Sequence, residues 1–349
     1  MITIKEMAEI AGVSPTTVAN VLHGRTKKVS EETRKKVQKV IEKSNYVSNM
    51  GARLLGNYGS RIIAVIISYN NDRQETLMQD PFVGAILGAM EKEMSKSGYF
   101  MMLYMNPNVM ECLHMAMAWN VEGIILLGVD RSAYYEFRSR LEVPMVTIDT
   151  YFKDSDTSYA NVGLQDFEGG YMVTEYLLDK GHREIAFLSV SDVLLKTTDA
   201  IDVSRYQGYK KALMEKGIKV DKERVRKLSK EEKERLGQLE DFARSGFGGC
   251  TSLFFASDSL AIEALNIFQD MGYKVPSDIS IVGFDNISAS CQCRPKLTTV
   301  QQDIFQRGEY AIKVLMEQME KKSQKAINLR LPVEFIERDS VAEKVNKEL

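Results

Sequence analysis

The sequence contains few cysteines and no long apolar run. Its 349 residues include four cysteines, Cys112, Cys250, Cys291 and Cys293, and none of them forms the CxxC pair of a disulfide-rich or zinc-binding chain. No apolar stretch approaches the ~18 residues that a membrane-spanning helix needs. Lys5 and Glu6 interrupt the first residues, which therefore do not resemble a secretory signal. We expect a reduced, cytoplasmic protein without a membrane partner.

The sequence also lacks the common signatures of catalysis. A dinucleotide-binding GxGxxG would follow the first strand directly, but residues 69–84 do not contain it, and no GxxxxGK[ST] phosphate loop occurs. His114 lies on a predicted helix and His182 precedes a predicted strand, where a structural role is the simpler interpretation. Zinc would need about four ligands at defined spacing. The sequence therefore predicts no enzyme, no catalytic residue, no metal and no cofactor.

Charge is distributed unevenly along the chain, although the formal net charge is only −2. Residues 1–60 carry ten lysines and arginines against five acidic residues, a balance of +5. The other 289 residues hold 36 basic and 43 acidic residues, a balance of −7. A small basic segment on a larger acidic body is expected when one end of a protein binds a polyanion. The alternative is that the segment has a basic surface without binding a polyanion.

The first 47 residues predict three short helices. Gly12 ends the first helix with a tight turn. Ser14 is a predicted N-cap, and Pro15 follows at the first helical position, where its missing N–H costs nothing. Ser30 caps the third helix. Two helices joined by a short turn that contains glycine form a helix-turn-helix. The apolar faces of the second and third helices are predicted to be buried: Val18, Val21, Leu22, Val37, Val40 and Ile41.

Residues 48–60 differ from the segments on either side. They contain three glycines and a short MGARLLG stretch. An isolated helix of this length is marginal in water, and the stretch has little apolar surface to bury. We therefore predict a linker that becomes ordered only when something else supports it.

From Arg61 onward, apolar strands alternate with amphipathic helices. Continuous apolar strands are typical of parallel sheets covered on both faces. The predicted strands form two series, 62–68, 99–104, 123–128 and 144–149, then 185–190, 252–256 and 279–284. The predicted helices include 82–97, 166–181, 205–217 and 258–272. Two series indicate two α/β domains. A helix at 303–320 and a strand near 332–336 follow both series, so we expect the chain to return to each domain.

Three N-terminal blocks match a known family in order: TIKEMAEIAGVSPTTVANVLHG, VSEETRKKVQKVIEKSNYV and NMGARLL. They resemble the head and hinge of the lactose-repressor (LacI/GalR) family of bacterial transcription regulators. Later blocks, among them VEGIILLG, FEGGYMVTEYLLDKGHREIAFL, SRYQGYKKAL and ASDSLAIEALNIFQDMGYKVPSDISIVGFDN, extend the resemblance over almost the whole chain. It implies an all-α helix-turn-helix head and an α/β sensor, similar to type I periplasmic binding proteins, with two parallel-sheet subdomains.

The resemblance also implies a division of the chain. A helix-turn-helix DNA-binding domain would occupy residues 1–47, a hinge helix or linker 48–60, a ligand-sensing domain 61–340 and a tail 341–349. One sensor subdomain would combine 61–160 with 291–322, and the other 161–290 with 323–340.

The resemblance assigns DNA-binding roles within the head and hinge: Ser14, Pro15, Thr16, Thr17, Asn20, His23, Ser30, Arg34, Asn49, Arg53 and Leu55. Thr16 and Asn20 would face base edges in the major groove, where an asparagine amide can pair with adenine. Arg34 would contact phosphate, with a solvated surface charge as the alternative. Leu55 would insert into the minor groove, with ordinary packing beside Leu54 as the alternative.

The resemblance places a ligand between the two sensor subdomains, where clefts are common binding sites. The implied ligand-binding residues are Phe82, Asp149, Arg205, Ser257, Asp258 and Asp285. Asp258 opens a predicted helix and could equally be an N-cap. Arg205 and Asp285 could instead form a structural ion pair.

The resemblance implies a ligand-responsive transcriptional repressor that binds a pseudo-palindromic operator in double-stranded DNA as a homodimer or tetramer. Its effector would be a small molecule, a sugar or sugar derivative. The alternative is a ligand-binding protein or a sugar-processing enzyme built on the same α/β body. The basic head argues against the binding protein, and the lack of a convincing base or nucleophile argues against the enzyme.

Overall fold

The structure is a computed structural model that describes residues 2–22, 25–26, 29–44, 59–68, 77–78, 80–151, 159–195, 201–321 and 326–344. The chain divides into two compact units, Met1–Ser60 and Arg61–Leu349. None of the helices in the described ranges has both the length and the apolar character needed to cross a bilayer.

Three helices form the first unit: α1 (Ile4–Ala11), α2 (Pro15–Leu22) and α3 (Glu31–Ser44). A capping box begins α1, because the Glu6 N–H donates to Thr3 Oγ1 at 3.2 Å and the Thr3 N–H donates to Glu6 Oε2 at 2.7 Å. Gly12 ends α1 in the left-handed region, at φ +59°. The three predicted helices and the turn at Gly12 are therefore confirmed.

A small apolar core joins these helices. Its buried members are Met7, Ala8, Ala11, Val18, Val21 and Val37. Leu22, Val40 and Ile41 pack against this core while partly exposed. The predicted burial is confirmed for Val18, Val21 and Val37, whereas the other three residues only pack at the edge of the core. The remaining surface of α2 carries its polar residues together with Pro15 and Ala19.

The second unit contains a six-stranded parallel sheet in the order β11-β5-β4-β3-β1-β2. Its strands are β1 (Ile62–Ile67), β2 (Phe100–Met105), β3 (Gly123–Leu127), β4 (Met145–Ile148), β5 (Ala160–Leu164) and β11 (Ile327–Leu331). Four helices cover it: α4 (Pro81–Lys96), α5 (Val109–Ala118), α6 (Arg131–Arg140) and α11 (Ile304–Lys321). Successive side chains of β1 enter different cores, because the side chains of a strand alternate between the two faces of the sheet. Val65 lies in one core and Ile66 lies in the other.

The other parallel sheet has four strands in the order β7-β6-β8-β9. Its strands are β6 (Ile185–Ser189), β7 (Val225–Lys227), β8 (Ser252–Phe255) and β9 (Ser280–Val282). The helices around it are α7 (Asp166–Asp179), α8 (Ile201–Glu215), α9 (Glu232–Arg244) and α10 (Asp258–Asp270). Phe187 and Leu188 are neighbours on β6 and lie in opposite cores, so this sheet is also covered on both faces.

Sheet membership corrects the predicted subdomain limits. β5 pairs with β4, and β11 pairs with β5, so both strands belong to the six-stranded sheet and not to the second subdomain. Residues 299–302 form β10, which pairs antiparallel with β12 (Val333–Ile336) and buries Val300 in the core of the four-stranded sheet. The sequence marks a strand but not its partner, because a parallel neighbour is reached through a long crossover.

Residues 341–344 also belong to the sensor fold and not to a tail. The Ala342 N–H donates to Ser280 Oγ at 3.1 Å, and the carbonyl of Ala342 lies 3.0 Å from Nε2 of buried His182. The Lys344 N–H donates to the carbonyl of Lys180 at 2.8 Å. These backbone contacts extend the four-stranded subdomain past residue 340. Residues 345–349 lie outside the described part of the chain.

Two glycines allow α7 and α8 to approach closely. A Cβ added at Gly170 would overlap the carbonyl of Arg205, and one added at Gly208 would overlap the carbonyl of Phe167. Because the obstructing atoms belong to the backbone, a side chain at either position would force the helices apart. This close packing fixes the part of α8 that carries Arg205.

We expect Gly208→Ala to lower the free energy of unfolding by about 1–3 kcal/mol, because the helices would have to separate. Gly237→Ala is the matched control: Gly237 is exposed within α9 and has no other atom within 4 Å of the added Cβ. That change is expected to raise stability by about 0.5–1 kcal/mol. Denaturant unfolding of both variants measures the difference, and equal stabilities would contradict the packing argument.

Candidate functional site

The polar face of α2 begins at its N-terminal turn. Ser14 Oγ accepts the Thr17 N–H at 3.1 Å and lies 2.9 Å from Thr17 Oγ1. Ser14, Pro15 and Thr16 are exposed, and Thr17 and Asn20 are partly exposed. Since Val18 and Val21 occupy the buried side, the helix presents short polar side chains to solvent. This is the arrangement with which a recognition helix reads base edges.

The start of α3 supplies a hydroxyl and a charge. Ser30 Oγ accepts the Thr33 N–H at 3.3 Å, which confirms Ser30 as the cap of this helix. The Arg34 side chain is 49% exposed and lies 3.9 Å from Glu31 Oε1. An exposed ion pair of this kind is worth little, so the guanidinium can turn to a phosphate at small cost.

Four of the predicted DNA-binding residues lie outside the described residues. They are His23, Asn49, Arg53 and Leu55. Their roles stay predictions from the sequence resemblance.

In the second unit, two of the predicted ligand carboxylates follow the carboxyl ends of strands from different sheets. Asp149 comes directly after β4 at φ +57°, and Asp285 lies beyond β9 at φ +120°. Backbone bonds hold both residues, because the Asp149 N–H donates to Val162 at 3.3 Å and the Asp285 N–H to Val300 at 2.8 Å. Positive φ at a residue with a side chain costs energy and is concentrated at functional sites. Such strand ends form the binding crevice of open parallel sheets.

A chain of polar contacts connects the two carboxylates. Asp149 forms an ion pair with Arg307 of α11. Arg307 donates to the Gln302 side-chain oxygen, and Gln302 Nε2 donates to Asp285 Oδ1 at 2.6 Å. Arg205 Nη2 lies 3.6 Å from the same Asp285 oxygen. The structure therefore brings Asp149, Arg205 and Asp285 together across the two subdomains.

Arg205 is held tightly within the second subdomain. Its Nε donates to Asp166 Oδ1 at 2.9 Å, its Nη1 donates to the carbonyl of Ala256, and its guanidinium stacks 3.6 Å from the Phe284 ring centroid. Only 2% of Arg205 is exposed. The ion pair between Arg205 and Asp285, one of two interpretations of the sequence, is present in the structure. Burial raises the pKa of the Asp285 carboxyl well above its usual range, although the charge of Arg205 opposes that rise.

Phe82 stands at the edge of the same polar network. It lies in the first turn of α4, where its N–H donates to the capping carboxylate of Asp80 at 2.8 Å. Its partly exposed ring has its centroid 5.0 Å from Arg307 Cζ. An aromatic face beside polar groups is a suitable surface for a sugar ring or another flat ligand.

Ser257 and Asp258 have different environments. Ser257 is the N-cap of α10, with its Oγ accepting the Leu260 N–H at 3.5 Å, and its side chain is partly exposed. Asp258 is completely buried, and its carboxylate accepts the Thr299 hydroxyl at 2.5 Å and the Ile287 N–H at 3.0 Å. Because the carboxylate is used within the fold, the ligand-binding role predicted for Asp258 is not supported. The N-cap alternative is also wrong for Asp258, since Ser257 is the cap.

Sequence reasoning missed three residues of the polar network: Asp166, Gln302 and Arg307. Arg307 carried a signal, because its charge interrupts the apolar stripe of α11 between Ile304 and Ala311. Asp166 and Gln302 carried no such signal in the sequence, since polar residues beside strand ends are common. In the described ranges, no group of three or more histidine, cysteine, aspartate or glutamate side chains is placed to hold a metal ion.

Comparison with known proteins shows the class of protein to which this fold and site belong. Residues 3–49 match the family described as bacterial regulatory proteins of the lacI family, and residues 174–341 match the periplasmic binding protein-like domain. The HTH-type transcriptional repressor PurR of Pasteurella multocida (strain Pm70) is 31% identical over 98% of this chain and 99% of its own length. The chain is thus a ligand-responsive, DNA-binding transcriptional repressor and not an enzyme. It belongs to the LacI family of bacterial transcription regulators.

Two solved structures share the architecture. The lac repressor dimer bound to operator and the anti-inducer ONPF superposes with a TM-score of 0.79 at 24% identity, covering 98% of this chain and 99% of that one. The transcriptional regulator CelR in complex with cellobiose gives a TM-score of 0.72 at 23% identity, covering 97% and 100%. These likenesses confirm the predicted fold class, a helical head with an α/β body of parallel sheets.

The buried Asp258 carboxyl leads to a pH-dependent prediction. Burial raises its pKa to about 6, above the roughly 4 of an unfolded chain. The folded chain therefore binds this proton more tightly, so the stabilising contribution is complete below about pH 4 and is lost as the pH rises through about 6. We expect the stability of the wild type relative to Asp258→Asn to fall by about 2 kcal/mol from pH 4 to pH 7.

Denaturant unfolding across this pH range measures the difference. Asp270→Asn, the same carboxyl-to-amide change at the exposed end of α10, serves as the control. A stability difference between wild type and Asp258→Asn that does not vary with pH would contradict the assignment of a raised pKa.

Proposed function

We propose that this repressor binds a pseudo-palindromic operator as a homodimer, with α2 of each head in the major groove. The observation that supports this most directly is the two-sided character of α2. Val18 and Val21 are buried, while Ser14, Thr16 and Asn20 lie at the surface. A recognition helix needs short polar side chains at the surface and a buried apolar face that holds the helix rigidly against its domain.

In this proposal Thr16 and Asn20 read base edges, with Pro15 and Thr17 beside them, and Ser30 and Arg34 contact phosphate. Base contacts determine sequence preference, whereas phosphate contacts determine position and overall affinity. His23, Asn49, Arg53 and Leu55 would complete the interface, with Leu55 inserted into the minor groove as a wedge. Support for these four comes from the sequence resemblance.

An operator can be obtained by in vitro selection with the full-length chain and then tested by gel shift. We expect Asn20→Ala to lower affinity for the selected operator by about 1–3 kcal/mol with little change on unrelated DNA, since the amide would read a base. Arg34→Gln is the matched comparison. It should weaken binding to all sequences and reduce the salt dependence by about one unit of slope. Equal losses on operator and unrelated DNA for Asn20→Ala would overturn the base-reading role.

We further propose that the effector is a neutral sugar held in the cleft between the two subdomains. The site contains three carboxylates, those of Asp149, Asp166 and Asp285, against the guanidinium groups of Arg205 and Arg307. Both guanidinium groups already pair with these acidic side chains, so an anionic ligand would find its counter-charges in use. Sugar hydroxyls, in contrast, can donate to carboxylates. The cellobiose complex of a protein with this fold supports the same ligand class.

Ligand binding would act by stabilising one arrangement of the two subdomains over another. Phe82, Asp149, Arg205, Ser257 and Asp285 are the proposed contacts. The change in the sensor would order or melt the segment 48–60, an order–disorder transition that couples effector binding to DNA binding.

A thermal-shift screen over neutral sugars, sugar phosphates and nucleobases tests the effector class. A ligand that binds only the folded state stabilises it by about 2.7 kcal/mol at 100 times its Kd. We expect a neutral sugar to raise the melting temperature of the wild type, and Asp285→Asn to weaken that response because an amide NH2 replaces one of the two accepting carboxylate oxygens. Asp270→Asn should respond as the wild type does. A response only to phosphorylated compounds or nucleobases would overturn the neutral-sugar proposal.

A further inference from the structure

Arg307 is a buried charge on the apolar face of a helix. It lies on α11 among residues that pack against the six-stranded sheet, and only 1% of it is exposed. Burying a guanidinium is costly unless paired groups surround it. Arg307 must therefore have partners whose interactions offset the free-energy cost of removing its guanidinium from water.

Those partners are residues of the ligand cleft. The guanidinium forms an ion pair with Asp149, donates to the Gln302 side-chain oxygen and lies 5.0 Å from the Phe82 ring centroid. Two of the three, Asp149 and Phe82, are proposed ligand contacts. Asp149 directly follows β4 of the first subdomain and Phe82 lies in α4, whereas Gln302 is the last residue of β10.

Gln302 passes the connection on to the second subdomain. Its amide oxygen accepts from Arg307 while its amide nitrogen donates to Asp285 Oδ1 at 2.6 Å. A glutamine can do both at once because one end of its amide accepts and the other donates. Arg307 and Gln302, here called the polar clasp, thus connect the Asp149 carboxylate to the Asp285 carboxylate.

We propose that Arg307 is a positioning residue for effector recognition. Through the polar clasp it holds the carboxylates of Asp149 and Asp285 at a fixed separation across the two subdomains. That separation determines which arrangement of sugar hydroxyls both carboxylates can accept. This role rests on the proposed function, in which Asp149 and Asp285 bind a neutral sugar.

A positioning role fits Arg307 better than direct contact with the ligand. The side chain is almost fully buried, and its guanidinium is directed at Asp149 and Gln302. Charge-assisted contacts of this kind are the strong ones and hold their partners in place. Arg307 therefore acts on the ligand through the side chains that it orients.

The first test needs no ligand. Arg307→Met, Asp149→Asn and the double variant are compared by thermal unfolding of the full chain. Each single change leaves one member of the Asp149–Arg307 pair without its opposite charge. The decrease in melting temperature of the double variant should therefore be much smaller than the sum of the decreases of the two single variants. Additive losses would overturn the clasp.

The second test measures sugar binding by isothermal titration calorimetry. The probes are the neutral sugar that raises the wild-type melting temperature most and one of its epimers. Loss of a charge-assisted contact should make Arg307→Met bind the better sugar at least about tenfold more weakly. Its preference for that sugar over the epimer should also fall, whereas a purely structural defect would weaken both equally. In an Asp149→Asn background, Arg307→Met should cost little more.

Three further variants keep the test decisive if Arg307→Met folds poorly. Arg307→Lys retains the charge opposite Asp149 but lacks the planar guanidinium that donates to two partners. Its affinity for the sugar should therefore lie between those of Arg307→Met and the wild type. Gln302→Glu retains the acceptor for Arg307 but places a carboxylate against Asp285, so it should reduce both affinity and selectivity. Lys313→Met, a change at an exposed side chain of the same helix, should leave both unchanged.

The outcomes separate the two proposals. Wild-type affinity and selectivity in Arg307→Met and Gln302→Glu would overturn the clasp while leaving the sugar proposal in place. Failure of every neutral sugar to bind the wild type, together with non-additive ligand-free unfolding, would overturn the sugar proposal and support the clasp.

Discussion

Two buried guanidinium groups, those of Arg205 and Arg307, impose the main electrostatic constraint on the sensor. Each lies in a low-dielectric environment near the carboxyl ends of parallel strands, where a charge is tolerated only beside an opposite one. Asp166 and Asp285 balance Arg205, and Asp149 balances Arg307. Since Gln302 links the two sets, the charges of the two subdomains form one network. In the proposed site, a ligand would therefore meet carboxylates whose positions are already determined.

The same requirement explains the local backbone. Asp149 and Asp285 both adopt positive φ, which is unfavourable for residues with side chains. The cost is offset because their N–H groups donate to neighbouring strands and their carboxylates meet the arginines. The close approach of α7 and α8 at Gly170 and Gly208 has a related effect. It places Arg205 within reach of Asp166, on the adjacent helix.

The DNA-binding head depends on a much simpler constraint. Its core is small, and three short helices share it. The capping box at Thr3 and Glu6 and the serine caps of α2 and α3 satisfy backbone N–H groups that short helices would otherwise leave unpaired. Because the apolar face of α2 is used in this core, its polar face is presented to solvent in one orientation. The residues that would read DNA are thus held by packing behind them.

Strong local sequence patterns were sufficient to predict the strands and helices that carry them. Seven apolar runs predicted strands that the structure contains within two residues at each end, and helix caps predicted the three helices of the head. Weaker patterns were missed. β5 contains Asn161 and Gly163, and β7 has only three residues, so neither resembles a buried strand. α6 and α9 were not among the helices named from the sequence, and α8 begins at Ile201, four residues before its predicted start.

The sequence by itself determined the family, the fold class, the helix-turn-helix and most of the residues at the strand ends. These follow from motif order, periodicity and capping chemistry, which act over a few neighbouring positions. Only the tertiary structure decided which strands pair, that Asp258 is used inside the fold, and that Arg307 and Gln302 join the cleft carboxylates. Those contacts connect residues far apart in the chain, as Asp149 and Arg307 are. Their energies come from burial and charge pairing, which no local pattern records.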